Sequence, residues 1–299
     1  MRLYPRPYVR FDLEGRGLEP LHLRVWILRM TIKQSPMKAT LKLLPGVKRL
    51  CERRAWREAQ HRFKQEFKSF AALANSAPSG NSLTLRWEDR HPCLDDQTST
   101  TDFDRHYVYH TAWAARAVAE IRPTEHVDIG SSLYFCSILS AFVSTRFYDY
   151  RPADLQLSNF VSGPADLLQL PFADDSIRSL SCMHVVEHVG LGRYGDPLDP
   201  NGDRKAMSEL ARVVAAGGYL LFVVPVGRPR ICFNAHRIYA FNQILEAFST
   251  MELMQFVLIP DDPATGGLIM NPQRELIDSQ AYGCGCFWFR KPITDNLSQ

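Results

Sequence analysis

The chain has 299 residues, of which 45% are hydrophobic and 22% are charged, which is enough for one large domain with appended segments. Seven cysteines, an odd number, predict a reducing compartment rather than a disulfide framework. No apolar run approaches the roughly 18 residues of a membrane span, and residues 1–10 lack the apolar core of a signal peptide. We therefore expect a soluble, cytoplasmic protein.

The net charge is +3, but it is unevenly distributed along the chain. Residues 1–70 hold 17 lysines and arginines against 6 acidic residues, a balance of +11, whereas the remaining residues hold 18 against 26, a balance of −8. This asymmetry predicts an anionic partner for the first part of the chain: a membrane surface, nucleic acid or the acidic face of its own core.

Residues 1–75 are predicted to form a basic extension. Prolines interrupt residues 1–45, in which residues 21–32 are a candidate short strand or helix. Apolar residues then recur every three or four positions over residues 47–74 and basic residues occupy much of the rest, which predicts an amphipathic helix with a basic face. Two interpretations remain open: the helix lies on an anionic membrane, or it covers the core with its basic side in water.

A predicted loop at residues 77–82 opens the main domain, which we place at residues 76–293. Residues 83–87 form a candidate strand and residues 91–102 a polar loop. Helical spacing over residues 104–121 predicts a helix in front of the first core strand. Its histidines and aromatic residues are typical of packing, and its first turn also supplies candidates for the lining of a pocket: Asp104, His106 and Tyr107.

Short apolar runs separated by helical segments follow, and they predict a parallel sheet covered on both faces. The predicted strands are Glu125–Ile129, Thr145–Tyr148, Phe160–Ser162, Ser179–Met183, Gly218–Pro225 and Glu252–Ile259, with a last strand at Cys284–Phe289. The predicted helices between them are 133–143, 204–214 and 241–248. Such sheets bind ligands at the carboxyl ends of their strands. Acids, a glycine and histidines gather there: Asp128, Gly130, Asp149, Asp166, His184 and His188.

The string His184-Val185-Val186-Glu187-His188 also matches a zinc-peptidase signature, which needs both histidines on one helix. Because it follows a buried strand and runs into glycines, we do not expect that helix. Residues 199–203 alternate like the start of a calcium loop, but the required glutamate is not at the right offset. We therefore predict no metal site.

Two loops carry candidate residues for binding and proton transfer. In the loop at residues 193–203, Arg193 and Asp196 either line a substrate site or hold the loop together. After the fifth strand, His236 suits a general base and Arg237 suits a carboxylate or phosphate. The alternative is that His236 only ties down its own loop.

These motifs resemble the class I S-adenosylmethionine (SAM)-dependent methyltransferases over roughly residues 125–259. The resemblance rests on an acid-x-Gly after strand one, acids after strands two and three, and His-x-x-Glu-His after strand four. Longer strings are similar to a narrower family of unknown function, first catalogued from nematodes and with bacterial members: residues 182–196, 233–239 and 282–289.

The resemblance implies SAM as the cofactor. The residues expected to hold it are Asp128, Gly130, Ser131, Asp149, Asp166, Leu167 and His184. Asp149 would accept hydrogen bonds from the ribose hydroxyls, and Asp166 from the adenine amino group, with Leu167 beside the ring. Ser131 and Ser132 stand where these enzymes usually carry further glycines, although serine is small and can donate a hydrogen bond.

We therefore predict an α/β fold of the class I methyltransferase type: a seven-stranded, mostly parallel sheet with an antiparallel last strand at its edge. The predicted activity is methyl transfer to an oxygen or nitrogen of an unknown acceptor, with a sugar or surface glycan implied by the resemblance. His188 and His236 are the candidate bases and Arg193, Asp196 and Arg237 the acceptor contacts.

Two other functions remain open. One is a non-catalytic scaffold that has lost SAM, and the other is a membrane-surface adaptor that works through residues 47–74. Nucleic acid is not an expected partner, and residues 294–299 are predicted to be a disordered tail.

Overall fold

The computed structural model describes residues 45–76 and 83–293, without the side chains of residues 45–48. The predicted element at residues 21–32 and the predicted tail at residues 294–299 lie outside this part. The chain divides into two compact units, with the boundary between Asp102 and Phe103. The boundary inferred from the sequence, at residue 76, lies earlier in the chain.

The first unit contains helix α1 (Pro45–Ser76), so the helix predicted at residues 47–74 is confirmed. Trp87 packs against Phe67 with a ring-centroid distance of 4.9 Å and against Phe63 at 6.0 Å. The strand predicted at residues 83–87 is wrong: the segment is irregular and leads into a 3-10 helix, Trp87–Asp89. Among the described residues no other strand pairs with it, and an unpaired strand gains nothing from a ladder.

The second unit is an α/β domain. Its first half contains α2 (Arg105–Ile121), β1 (Glu125–Ile129), α3 (Leu133–Leu139), β2 (Ser144–Asp149), β3 (Phe160–Pro164), β4 (Ile177–Met183) and α4 (Gly202–Val213). Its second half contains β5 (Val214–Val226), β6 (Arg230–Cys232), β7 (His236–Ile238), α5 (Phe241–Ala247), β8 (Glu252–Ile259), β9 (Ile269–Met270), α6 (Arg274–Ser279) and β10 (Gly283–Arg290). No helix in the described ranges is long and apolar enough to cross a bilayer.

The main sheet has the strand order β3-β2-β1-β4-β5-β10-β8-β9. The first five strands are parallel, and β10 is antiparallel to both of its neighbours. The α/β fold class is thereby confirmed, with β9 as an added two-residue strand. The predicted edge position of the last strand is wrong, because β10 lies between β5 and β8. Seven of its eight residues are buried, which is typical of a strand covered on both faces.

Alternating side chains of the sheet form two apolar cores, one on each face. On β5, Leu220, Phe222 and Val224 belong to the core that α4, α5 and α6 cover. Leu221 and Val223 belong to the opposite core, which α2 and α3 cover. The domain is therefore a three-layer structure that leaves the strand ends accessible.

The order of the strands reverses between β1 and β4. From β1 the chain continues outward to β2 and β3, and it then returns to place β4 and β5 on the other side of β1. In an open α/β sheet the crevice for a ligand lies outside the carboxyl ends of the strands at such a switch point. The residues that follow β1 and β4 therefore occupy the position expected for a ligand site.

Candidate functional site

The turn after β1 is shaped by Gly130, whose φ of +70° is unfavourable for any residue with a side chain. A Cβ added at this position would lie 3.1 Å from the side chain of Val185 and 3.5 Å from Oδ2 of Asp149. The Gly130 N–H donates to the carbonyl of Tyr148 at 2.7 Å. Glycine at this position therefore lets the turn lie close to Val185 after β4 and to Asp149 at the end of β2.

Asp128 is fully buried and its carboxylate is turned into the protein. It accepts hydrogen bonds from the Ser131 N–H at 3.0 Å and from the hydroxyl of Ser181. Burial raises the pKa of Asp128 to about 6, although these hydrogen bonds act in the opposite direction. Ser131 in turn accepts from the Met183 N–H at 2.9 Å and so ties the turn to β4. The structure therefore uses Asp128 and Ser131 to build the turn.

The other two predicted carboxylates are placed differently. Asp149 is half-buried: its Oδ1 accepts from the Arg151 N–H at 2.7 Å, and its Oδ2 faces the Gly130 turn. Asp166 is exposed and accepts from the Leu168 N–H at 2.9 Å. Leu167 packs into the core and is 7% exposed, so it offers little surface for an adenine ring. Of the three, Asp149 is the one that lies beside Gly130.

A cavity of about 410 Å³ lies next to this turn, in front of the end of β4. Its lining is rich in imidazole, aromatic and charged groups: Phe103, Asp104, Arg105, His106, Tyr107, His184, Glu187, His188, Arg193, His236 and Tyr282. The structure brings together His184, His188, His236 and Arg193, and it places the three helix candidates Asp104, His106 and Tyr107 on the same wall. None of the carboxylates Asp128, Asp149 and Asp166 lines it.

The His-x-x-Glu-His string forms a turn and not an α-helix. His184 has a left-handed backbone with φ of 56°, and residues 186–188 form one turn of 3-10 helix. Glu187 is buried and its Oε1 accepts from Nδ1 of His184 at 2.8 Å. Burial would raise the pKa of Glu187, but His188 and His184 outweigh it, and the net pKa lies below its ordinary value. The arrangement is not that of a zinc peptidase.

His188 is oriented by a backbone carbonyl. Its Nδ1 lies 2.6 Å from the carbonyl oxygen of Ala235, which can only accept, so Nδ1 carries the proton in the neutral ring. The lone pair is then on Nε2, which is 3.8 Å from Oε1 of Glu187. Arg193 donates to the same carbonyl at 2.9 Å. His188 therefore has the geometry of a base whose charged form Glu187 would stabilise.

His236 reaches the cavity because a short hairpin, β6–β7, follows β5. Its ring lies against Tyr282 with a centroid distance of 4.7 Å. Burial, the largest cause, lowers the pKa of His236, and His188 and Arg193 act in the same direction. The imidazole is therefore neutral at pH 7 and can accept a proton.

Two of the predicted acceptor contacts are corrected by the structure. Asp196 turns into its own loop and accepts from the N–H groups of Gly190 at 2.7 Å, Tyr194 at 3.2 Å and Gly192 at 3.3 Å. Arg237 is buried and donates to the carbonyl of Val189 at 2.6 Å. Backbone groups satisfy these side chains, so they hold the loop after β4 in place and do not face the cavity.

Several residues of the site had no predicted role. Glu187 lay within the motif, but its burial against His184 depends on the turn that follows β4. Tyr282 comes from the segment before β10, far along the chain. His110 lies one helical turn after the predicted lining residue His106, a spacing that puts both on one face of α2, and this was the signal available for it.

Residues 172–257 match the family described as "Caenorhabditis protein of unknown function, DUF268". The narrower resemblance seen in the sequence is confirmed over this segment, which includes the strings at residues 182–196 and 233–239. No curated protein matches the sequence of this chain.

Solved structures of similar fold include methyltransferases. The N-methyltransferase NodS from Bradyrhizobium japonicum WM9, in complex with S-adenosyl-L-homocysteine, is 16% identical, and the match covers 67% of this chain and 94% of NodS, with a TM-score of 0.46. A TehB-like SAM-dependent methyltransferase from Corynebacterium glutamicum is 16% identical over 62% of this chain and 88% of its own, with a TM-score of 0.42. The YcgJ protein from Bacillus subtilis is 14% identical, and the match covers 62% of this chain and 99% of YcgJ, with a TM-score of 0.44. Similarities at this level say nothing about activity.

The two parts of the site adjoin at Val185. Its side chain touches the space above Gly130, and its neighbour His184 lines the cavity. Gly130 has a left-handed backbone that lets a ligand approach closely, and Oδ2 of Asp149 lies beside it, so the turn fits a nucleoside whose ribose hydroxyls need an acceptor. The residues present therefore fit SAM at the turn, next to a separate cavity for a second molecule.

Proposed function

We propose that the protein is a SAM-dependent methyltransferase that acts on an oxygen or nitrogen of its acceptor. The observation that carries the proposal is the Gly130 turn at the switch point of the sheet, with Oδ2 of Asp149 on one side and the cavity on the other. A transfer reaction requires two molecules to be held in contact, and a donor held at this turn would adjoin an acceptor in the cavity.

Gly130 and Asp149 would hold the donor. The left-handed glycine lets the ligand approach the backbone closely, and the carboxylate accepts hydrogen bonds from ribose hydroxyls. When bound, SAM supplies an activated methyl group on a sulfonium. The protein then has to align the acceptor, exclude water and remove one proton.

His188 is the base that we assign to the acceptor proton. Its Nδ1–H is held by the carbonyl of Ala235, so Nε2 is the accepting atom. Glu187 is buried behind it and would stabilise the imidazolium that forms when the acceptor loses its proton. His236 is the second candidate because it lines the same cavity and its pKa is lowered by burial.

The cavity supports a sugar as the acceptor, in a surface glycan or its precursor. Its volume of about 410 Å³ lies within the usual range of small-molecule sites. Aromatic groups such as Tyr107 and Tyr282 offer faces for the apolar side of a sugar ring, and Arg193 and Glu187 offer partners for hydroxyl groups. A role in polysaccharide synthesis in the cytoplasm would follow from such an acceptor.

Calorimetry with SAM and with S-adenosylhomocysteine tests the donor site. We expect saturable binding, and an affinity at least about 10-fold weaker in Asp149→Asn, because the amide cannot accept from two hydroxyls as the carboxylate does. Asp154→Asn is the matched control, since Asp154 is an exposed carboxylate in the loop after the same strand. No heat from the wild-type protein would favour the non-catalytic scaffold.

Methyl transfer is tested with methyl-labelled SAM and a panel of sugars and nucleotide sugars, read out by mass spectrometry. We expect His188→Gln to lower turnover by about 100-fold while SAM affinity stays unchanged, as for loss of a general base. His91→Gln replaces an exposed histidine of the first unit and serves as the control. Unchanged turnover in His188→Gln would remove His188 from this role.

A second proposal concerns helix α1: we infer that it contacts an anionic membrane surface. Some aromatic residues of this helix are packed, but four of its large apolar side chains are exposed: Leu50, Trp56, Phe70 and Leu73. Arginines lie between them, and Arg54 pairs with Glu58 at the surface. A basic helix with exposed apolar residues is typical of binding at the interface of acidic lipids.

Liposome co-sedimentation tests this contact. We expect binding to vesicles that contain phosphatidylserine, and a loss of at least about 10-fold when Arg53, Arg54 and Arg57 are replaced by Glu. Vesicles of phosphatidylcholine alone are the control for charge. Equal binding of the wild-type and charge-reversed proteins would exclude the proposal.

A further inference from the structure

Four side chains with metal-ligand chemistry meet at the inner wall of the cavity. His106 and His110 come from α2, His184 follows β4, and Cys284 lies on β10. Ligand atoms of His106, His184 and Cys284 all lie within 4.8 Å of one another. Imidazole nitrogen and thiolate sulfur are the ligands that zinc prefers in proteins.

The ring of His184 is already oriented as a metal ligand would be. Its Nδ1 donates to the buried carboxylate of Glu187 at 2.8 Å, which leaves the lone pair on Nε2. This Nε2 lies 3.4 Å from Sγ of Cys284. A histidine that donates one nitrogen to a carboxylate and turns the other to the ion is the usual arrangement around protein-bound zinc.

The ligand atoms lie only slightly farther apart than the ligands of a bound zinc ion do. Ligand atoms around a tetrahedral zinc ion lie about 3.3–3.7 Å apart, given bonds of about 2.0–2.3 Å. The distance between Nε2 of His184 and Sγ of Cys284 is within this range, and the widest separation among the three ligand atoms is 4.8 Å or less. Small rotations of His106 would bring its nitrogen to the same point.

His110 adds an independent observation. It is fully buried, and its Nδ1 donates to the carbonyl of His106 at 2.6 Å, so Nε2 carries the lone pair. That Nε2 has no hydrogen-bond partner in the described part of the chain. The ring lies 5.0 Å from that of His184. A buried acceptor without a donor costs free energy, and a cation beside it would offset that cost.

From these contacts we propose that His106, His184 and Cys284 bind a zinc ion, with Glu187 orienting His184 from outside. The HxxEH string therefore contributes its first histidine to a metal, whereas the second, His188, remains available to the cavity. The proposal does not depend on SAM binding, because none of these residues contacts the Gly130 turn in the described structure.

The location of the proposed ion follows from what lines the cavity. His106 and His184 both contribute to its wall, whereas Cys284 is buried behind them. The ion would therefore lie between the core and the cavity, within reach of an oxygen of the acceptor. Such a position fits an acceptor that offers a hydroxyl or carboxylate oxygen, which zinc can bind.

Cobalt substitution of the full-length chain tests the site. After removal of metal with a chelator, we expect the wild-type protein to take up one equivalent of CoCl2 with a thiolate-to-cobalt absorption band, and ZnCl2 to displace it. In Cys284→Ser we expect the band to be lost and zinc affinity to fall at least about 10-fold. Cys286→Ser is the matched control, since Cys286 is a buried thiol two residues along the same strand.

A second variant separates orientation from folding. Glu187→Gln keeps the shape of the side chain but weakens the hold on His184, and we expect zinc affinity to fall about 10–100-fold while the thiolate band remains. The proposal is overturned if the metal-free wild-type protein takes up no cobalt or zinc at micromolar concentrations. It is equally overturned if the band persists in Cys284→Ser, since another thiol would then be the ligand.

Discussion

The two strands that flank the switch point of the sheet end in opposite ways. At the end of β1 the acidic side chain, Asp128, is turned inward and is satisfied by Ser131 and Ser181. At the end of β4, His184 and His188 line the cavity. One side of the site is therefore shaped by backbone and the other carries titratable side chains, so a motif residue at a strand end is not by itself a ligand contact.

The largest expected effect concerns Arg237, which holds the loop after β4 in place. Arg237→Met removes a buried cation that donates to the carbonyl of Val189 and lies 3.5 Å from Asp203. We expect the free energy of unfolding in urea to fall by about 3 kcal/mol, because the buried carboxylate of Asp203 keeps the Tyr239 hydroxyl but loses its cation. Arg204→Met removes an exposed arginine and should change little. Equal effects of the two would mean that Arg237 does not anchor the loop.

The inward orientation of Asp128 predicts a dependence of stability on pH. Burial raises its folded-state pKa from 3.8 to about 6, so between these values the folded protein keeps a proton that the unfolded chain has lost. The contribution of Asp128 to stability is therefore complete below the unfolded pKa and is lost as the pH rises through the folded pKa. Relative to Asp128→Asn, we expect the wild-type protein to lose about 3 kcal/mol across this interval.

Urea denaturation at several pH values measures that difference, and Asp154→Asn is the control for an exposed carboxylate. A difference between wild-type and Asp128→Asn that does not vary with pH would show that Asp128 is not the buried acid described here. The acid at the end of β1 would then not differ from an exposed carboxylate.

A substitution at Gly130 tests the turn after β1, where the backbone and not a side chain shapes the site. Gly130→Ala should weaken SAM binding by at least about 10-fold, because the new Cβ would lie 3.1 Å from Val185 and beside Asp149. Gly195→Ala is a close control: its φ of +85° imposes a similar backbone cost, but nothing lies within 4 Å of the added atom. Calorimetry measures both affinities. Similar losses in the two variants would attribute the effect to strain elsewhere and not to the turn.

The smallest expected effect concerns the hydrogen bond that links the turn after β1 to β4. Ser131→Ala removes the acceptor of the Met183 N–H and should cost about 1 kcal/mol of unfolding free energy, with SAM affinity largely retained. Ser137→Ala removes a local bond to the carbonyl of Tyr134 on an exposed surface and should cost less. If Ser131→Ala instead abolishes SAM binding, the hydroxyl contacts the cofactor directly.

Much of the fold could be predicted from local pattern. The predicted bounds of β1 and β8 agree with the structure: β1 lies between Thr124 and the Gly130 turn, and β8 is a largely apolar run that ends before Pro260. The hairpin of β6 and β7 was missed, since each strand has three residues and is too short for a period to show. The interior position of β10 was also missed, although its lack of polar residues was a signal.

The sequence alone determined the order of the seven predicted strands and of the helices between them, together with the residue types at the strand ends, because hydrophobic periodicity is a local property. The tertiary structure decided which of those side chains meet. Asp196 and Arg237 satisfy backbone groups of their own region, whereas His184 meets Cys284, which lies 100 residues away in the chain. The direction of a side chain at a strand end depends on such distant partners, and no local pattern contains them.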